Sequence, residues 1–304
     1  MPTPTHPLPD DRRAMAFGLA TVLTWSTVAT AFKLALRHLD PLQLLAVANA
    51  VSVLALGSVL AVRGTWRSLR GAPRGQVLLA CGLGLLNPLA YYLILFKAYD
   101  LLPAQVAQPL NYTWALTLAW LSVPLLGQKL HARDAVAGLV CYSGVVLIST
   151  RGDLAHFSVD SPLGVGLALA STIIWALYWI GNRRNELEPV AGLFLGFVTA
   201  LPFTLAVTAA FSDFRLPAAG LWAGAYVGCF EMGYTFVLWL MALKLASSTA
   251  RVANLIFLSP FLSLVFIRFV LGEPIAPATL GGLVLIVGGL WWQGRRRADA
   301  GPSS

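Results

Sequence analysis

The sequence predicts an all-α integral membrane protein: ten transmembrane helices arranged as two inverted five-helix repeats (5+5). Three observations carry that expectation. Hydrophobic residues make up 58% of the chain and charged residues only 11%, against roughly 25% charged in a soluble domain. The apolar residues fall in blocks of about 20, the length that crosses a bilayer core as a helix. Short sequence features of the first half also recur, in the same order, in the second.

Taken in order, the expected spans are 15–36, 41–62, 76–96, 103–126, 134–149, 162–181, 189–211, 218–243, 251–271 and 277–293. The links are short and marked by Asp40-Pro41, Gly71 to Pro73, Pro103, Ser161-Pro162, Glu188-Pro189, Pro217, Glu273-Pro274 and Pro277. Proline suits a first helical turn, where its missing N–H would have no partner anyway. The expected organisation is a tail (1–13), a first repeat (14–150), a second repeat (161–294) and a basic tail (295–304).

The net charge of +8 reads as membrane topology rather than nucleic-acid binding, because the cations sit in alternate loops. With the N-terminus inside, the inner segments hold Arg12, Arg13, Arg63, Arg67, Arg70, Arg74, Lys129, Arg133, Arg183, Arg184, Lys244, Arg251 and Arg295 to Arg297. The outer side keeps Lys33, Arg37, Lys97, Arg151, Arg215 and Arg268. Acidic residues divide evenly, so the bias is cationic, as the positive-inside rule requires. Both termini are expected on the cytoplasmic side. Lys33, Lys97 and Arg268 lie near span ends, where long side chains snorkel to water.

The repeat is visible residue by residue. Gly138-Leu139-Val140 followed by Gly144 recurs as Gly282-Leu283-Val284 followed by Gly288. Leu126-Gly127-Gln128 recurs as Leu271-Gly272-Glu273, Asp40-Pro41 as Glu188-Pro189, and Trp25 as Trp175. Five spans per copy is an odd number, so the second copy is inverted in the membrane. Secondary transporters use this arrangement, with the solute held between the halves.

Polar residues inside hydrocarbon are costly, so they face a cavity or a neighbouring helix. They gather on particular spans: Trp25 with Thr24 and Thr27; Asn87 and Tyr91; Gln105, Gln108, Asn111 and Tyr112; Ser171, Trp175, Tyr178 and Trp179; Glu231, Tyr234, Thr235 and Trp239; and Asn254. Spans 2, 5, 7 and 10 are poorer in them and look peripheral. Interhelical hydrogen bonding accounts for any one of these residues; as a set they favour an aromatic-lined cavity. Trp25, Tyr91, Trp175, Tyr178 and Tyr234 would enclose an apolar or aromatic group. Gln108, Asn111 and Asn254 would hold polar head groups, with Asn87 and Tyr112 beside them. Glu231 is the one acidic side chain deep inside a span and would take a substrate ammonium or a proton. Pro88, Pro109 and Pro260 would supply bends for gating. Gly220, Gly224 and Gly228 form a small-residue stripe for close helix packing, and Gly82 and Gly84 occupy a comparable place in span 3.

Cys81, Cys141 and Cys229 are isolated in apolar blocks, so no disulfide framework or metal cluster is expected. His6, His38, His131 and His156 fall in loops or the tail, away from any intramembrane nucleophile. No Walker A sequence and no cleavable signal peptide are evident. No cofactor and no enzymatic activity are expected.

The ten spans, the two halves and the Leu-Gly-Glu plus Gly-Leu-Val…Gly signature resemble the EamA-type members of the drug/metabolite transporter superfamily, over about residues 14 to 294. Gln128 departs from that signature in the first copy. Asn87-Pro88-Leu89-Ala90-Tyr91-Tyr92 and Gln108-Pro109-Leu110-Asn111-Tyr112-Thr113-Trp114 look most like the YddG-type aromatic amino-acid exporters of the bacterial inner membrane. The resemblance implies a central cavity lined by spans 1, 3, 4, 6, 8 and 9, and export of amino acids. A broad exporter of cationic or apolar compounds coupled to protons through Glu231 is the second reading. A membrane-embedded enzyme or partner subunit is the third. The expected partners are a small-molecule substrate and the lipid bilayer, with no nucleic acid, and one chain suffices for transport.

Overall fold

The computed structural model describes residues 10–128, 132–153, 159, 161–247, 252 and 254–299. Among them all regular structure is helical. Lys129, His6, His131, His156 and Arg251, and the side chains of Arg133 and Arg295 to Arg297, lie outside the described residues.

Helix α1 (Asp11–Leu36) starts earlier than hydropathy suggests, because the Asp10 carboxylate accepts from the Arg13 N–H at 3.0 Å and caps it. A capping box opens α2 (Pro41–Arg63): Asp40 accepts from the N–H groups of Leu42 and Gln43, and the Gln43 side chain accepts from the Asp40 N–H. After a single turn at Arg67–Arg70, α3 (Arg74–Leu101) runs to a corner at Pro103. It extends past the expected 76–96, so Lys97 is still helical and pairs with Asp100 at 2.6 Å. Next come α4a (Ala104–Tyr112), α4b (Trp114–Leu126) and α5 (Ala132–Ser149). The second half of the chain gives α6 (Pro162–Asn182), α7 (Pro189–Phe211), α8 (Ala218–Leu245), α9 (Asn254–Leu271) and α10 (Pro277–Asp299). Seven of the described helical segments are long and apolar enough to cross a membrane. Ala135–Ser149 and Pro277–Gln293 are shorter apolar stretches, and the fourth segment is broken at Thr113.

The repeated sequence features mark helix ends. Glu188 accepts from the Ala191 N–H at 2.8 Å and Pro189 begins α7, as Asp40 and Pro41 begin α2. Gly127 and Gly272 end α4b and α9 with φ of 66° and 74°. That left-handed conformation favours glycine, which has no Cβ to clash.

Three helices depart from regular geometry. In α3 a π turn spans Leu85–Ala90, Asn87 is non-helical, and the Asn87–Pro88 bond is cis. In α8 a π turn spans Val227–Glu231 and Gly233 leaves the helical region. Helix α9 opens as a 3₁₀ turn, Asn254–Leu258, and closes as a π turn, Ile267–Leu271.

Helix pairing joins distant parts of the chain. α5 packs on α10, α2 on α7, α1 on α8 and α9, and α6 on α3 and α4b; α3 also packs on α7, and α8 on α2. Bare backbone makes the closest crossings. A methyl on Gly144 or on Gly282 would sit 2.6 Å from the other's carbonyl oxygen, and one on Gly84 would run into the Gly196 backbone. The Gly220, Gly224 and Gly228 stripe seats α8 against Leu39, Val47 and Ala48. The Lys33 ammonium donates to the carbonyls of Tyr99 (2.8 Å) and Leu102 (3.1 Å) at the C-terminal end of α3, where the helix dipole favours a cation.

An aromatic cavity as the candidate functional site

These pairings leave a cavity of about 350 Å³ between α1, α3, α4a, α4b, α6, α8 and α9. Tyr91 stacks on Trp175 at 4.5 Å and 29° between ring planes, and Trp175 stacks on Tyr178 at 5.6 Å. Trp25 meets Phe236 edge-on at 5.6 Å and Trp239 at 5.8 Å. Such pairs are favourable beyond the area they bury, so the wall is stiff as well as apolar. The Tyr91 hydroxyl donates to Asn111 Oδ1 at 3.3 Å, and Asn111 Nδ2 donates to Ser171 Oγ at 3.0 Å. This chain ties α3, α4a and α6 together and fixes the Asn111 amide.

Among the described residues of the lining, Glu231 is the only acidic one, and none is Lys, Arg or His. Its Oε1 accepts from the Tyr92 hydroxyl at 3.1 Å. One carboxylate facing aromatic rings suits an ammonium group, through direct charge and through the ring faces.

Eight of the expected residues line the cavity: Trp25, Tyr91, Gln108, Asn111, Tyr112, Trp175, Glu231 and Asn254. Asn87, Tyr178 and Tyr234 do not. The π turn in α3 adds a residue to the repeat and turns Asn87 away from Tyr91. Asn87 and Tyr178 instead face a small crevice against Leu83, Leu193 and Gly196. The break at Gly233 turns Tyr234 outward, where its hydroxyl lies 3.1 Å from Ser58 Oγ on α2. Pro88 lies in the α3 π turn, Pro109 in α4a ahead of the break at Thr113, and Pro260 just after the 3₁₀ turn of α9.

The sequence reading missed Phe32, Leu95, Tyr99, Trp114, Phe236 and Phe257 in the lining, and Tyr92 behind Glu231. Phe32 was findable: with Trp25, Val28 and Ala29 it completes one helical stripe. Tyr92 was not, since adjacent residues of a regular helix point about 100° apart.

The two ends of the cavity differ. Phe32, Leu95 and Tyr99 close one end and are 1%, 2% and 3% exposed. At the other end, where α1 begins, Asn254 is exposed, and Trp179, Trp239 and Phe257 are half-buried.

A helical membrane protein enclosing a solute-sized cavity has the build of a carrier. The chain belongs to the EamA-like transporter family, which it matches over residues 12–150 and again over 162–293. It is therefore a multi-pass membrane transporter of small molecules. It is 26% identical over 288 residues to an uncharacterized transporter, YvbV, of Bacillus subtilis, covering 92% of this chain and 90% of the relative. An uncharacterized transporter of Archaeoglobus fulgidus is 27% identical over 282 residues, 88% of this chain and 93% of the relative. The aromatic amino acid exporter YddG of Ancylobacter novellus is 27% identical over 237 residues, 76% of this chain and 79% of the relative. A crystal structure with a TM-score of 0.67 and 22% identity covers 95% of this chain and 98% of that chain, and shares the fold.

Proposed function

We propose that the protein exports aromatic and other neutral amino acids across a bacterial inner membrane by alternating access through the central cavity. The observation that carries this reading is the stacked aromatic wall, with Glu231 and the amides of Gln108, Asn111 and Asn254 set into it. The wall would take the apolar side chain, Glu231 the ammonium, and the amides the carboxylate. The similarity to an aromatic amino acid exporter supports the same substrate class.

The fold behind this mechanism is ten spans in two inverted halves, 14–150 and 161–294, with both termini cytoplasmic. Two features support it. The family match occurs twice. The most extensive helix pairings are also preserved when each helix is exchanged for the one five further on. α2–α7 and α5–α10 map onto themselves, α1–α8 onto α6–α3, α4b–α6 onto α9–α1, and α3–α7 onto α8–α2. Such preserved pairings support halves related by a two-fold axis in the membrane plane. The pathway lies within one chain, so a monomer suffices.

Proteoliposomes holding the purified protein should move labelled Phe, Trp, Thr or Met. No protein-dependent flux of any amino acid would end the amino-acid reading. A second reading, proton-coupled export of organic cations, is favoured by Glu231 in an aromatic lining whose described residues include no Lys, Arg or His. Efflux of a cationic dye that follows an imposed proton gradient and fails in Glu231→Gln, with no amino-acid flux, would select it.

A further inference from the structure

The blind end of the cavity is closed by a polar junction linking distant segments of the chain. The α3–α4a corner lies at its centre. From one side Lys33 on α1 donates to the Tyr99 and Leu102 carbonyls. From the other, the Glu273 carboxylate accepts from the N–H groups of Ala104 (3.2 Å) and Gln105 (3.4 Å). Gln105 then reaches back across the α9–α10 corner. Its amide nitrogen donates to the Pro274 carbonyl at 2.9 Å, and its oxygen accepts from the Ala276 N–H at 3.0 Å and the Thr279 hydroxyl at 3.2 Å. Directly beneath sit Phe32 and Tyr99, with ring centroids 5.1 Å apart, which form the floor of the closed end.

We propose that Lys33, Gln105 and Glu273 are the clasp of a gate, holding this end of the cavity shut and releasing when the carrier opens there. The inference rests on the carrier reading and adds to it the residues that close one side.

The chemistry of the contacts separates a clasp from permanent packing. Every bond in it ends on a backbone group at a helix end or corner, or on the hydroxyl of Thr279. Water can replace each of those partners once the junction parts, so opening strands no polar group. The crossings at Gly84 with Gly196 and Gly144 with Gly282 are the reverse case, backbone against backbone with no side chain to swing aside. Position argues the same way. Residue 273 follows the left-handed Gly272, and its counterpart after the left-handed Gly127 is Gln128. Glu273 is engaged at the closed end, whereas Gln128 is exposed.

The test reads gate opening without any solute. In a background with Cys81, Cys141 and Cys229 replaced, Ala29→Cys puts one thiol in the cavity lining. A membrane-impermeant maleimide is applied to oriented vesicles from the side of the α3–α4a corner. Glu273→Ala, Lys33→Met and Gln105→Ala should each speed labelling about fivefold, the weight of roughly one net hydrogen bond. They should slow labelling from the opposite side. Lys97→Ala, which breaks only the pair with Asp100 within α3, should leave both rates unchanged. Unchanged rates in correctly folded clasp variants would overturn the proposal. Should the variants fail to fold, Pro103→Cys with Ala276→Cys, joined by a short bis-maleimide in the cysteine-replaced background, locks the junction while keeping Lys33, Gln105 and Glu273 in place. Exchange of the solute shown to be transported should then stop, and continued flux across the locked junction would overturn the proposal as well. Because labelling needs no solute, an absence of amino-acid flux would fail the amino-acid reading and leave the clasp standing.

Discussion

Glu231 sets the polarity of the cavity, since no cation among the described lining residues answers its carboxylate. Among the described residues it accepts from the Tyr92 hydroxyl, a neutral donor that steadies the group and leaves the charge available to a solute. Glu231→Gln keeps the shape and removes that charge. It should lower transport of an amine-bearing solute at least about tenfold, the weight of one charge-assisted hydrogen bond at its lower bound. Tyr92→Phe should cost less, about three- to tenfold, by freeing the carboxylate to rotate. Initial rates in proteoliposomes check both, and wild-type rates in Glu231→Gln would mean the carboxylate only packs the helix. Glu231 was legible in the sequence because an acid inside an apolar block has few reasons to be there. Tyr92 was hidden, and Tyr234 misplaced, by backbone irregularities that a 3.6-residue period does not anticipate.

Among the elements, α3 shows how helix surfaces set tolerance. Gly84 meets the Gly196 backbone, whereas a methyl on Gly82 would touch nothing within 4 Å. Gly84→Ala should therefore cost about 1–3 kcal/mol by overpacking, and Gly82→Ala close to none. Thermal unfolding of the two variants in detergent separates them directly. Gly272→Ala should cost about 1–2 kcal/mol for a left-handed residue carrying a Cβ. Where helices begin and end was largely readable, because Asp-Pro, Glu-Pro and Leu-Gly act through local capping and φ. Where they break was readable in part: Pro88, Pro109 and Pro260 sit in or beside the irregular turns of α3, α4a and α9, because proline removes a ladder hydrogen bond. The break at Gly233 has no proline to announce it.

At the scale of the whole molecule, the described helices find their partners far along the chain. α2 is held by α7, where Thr208 Oγ1 donates to the Leu42 carbonyl. α5 is held by α10, where Cys141 Sγ donates to the Ile286 carbonyl. Neither proposed half is then a self-sufficient body. A fragment of residues 1–150 expressed alone should be degraded. Co-expressed with residues 151–304 it should be recovered as a complex that survives detergent extraction. A stable, protease-resistant 1–150 fragment would contradict this.

Those long pairings also fix a timetable. The contacts between Leu42 and Thr208 and between Cys141 and Ile286 span 166 and 145 residues. At about 5–20 residues per second of synthesis, α2 and α5 wait roughly 10–30 s in the bilayer before their partners emerge. During that interval the Gly144 backbone and the polar face of α4a stand open to lipid or to whatever insertion machinery shields them. Slowing translation late in the second half should therefore lower the yield of folded protein more than the same delay placed after α10.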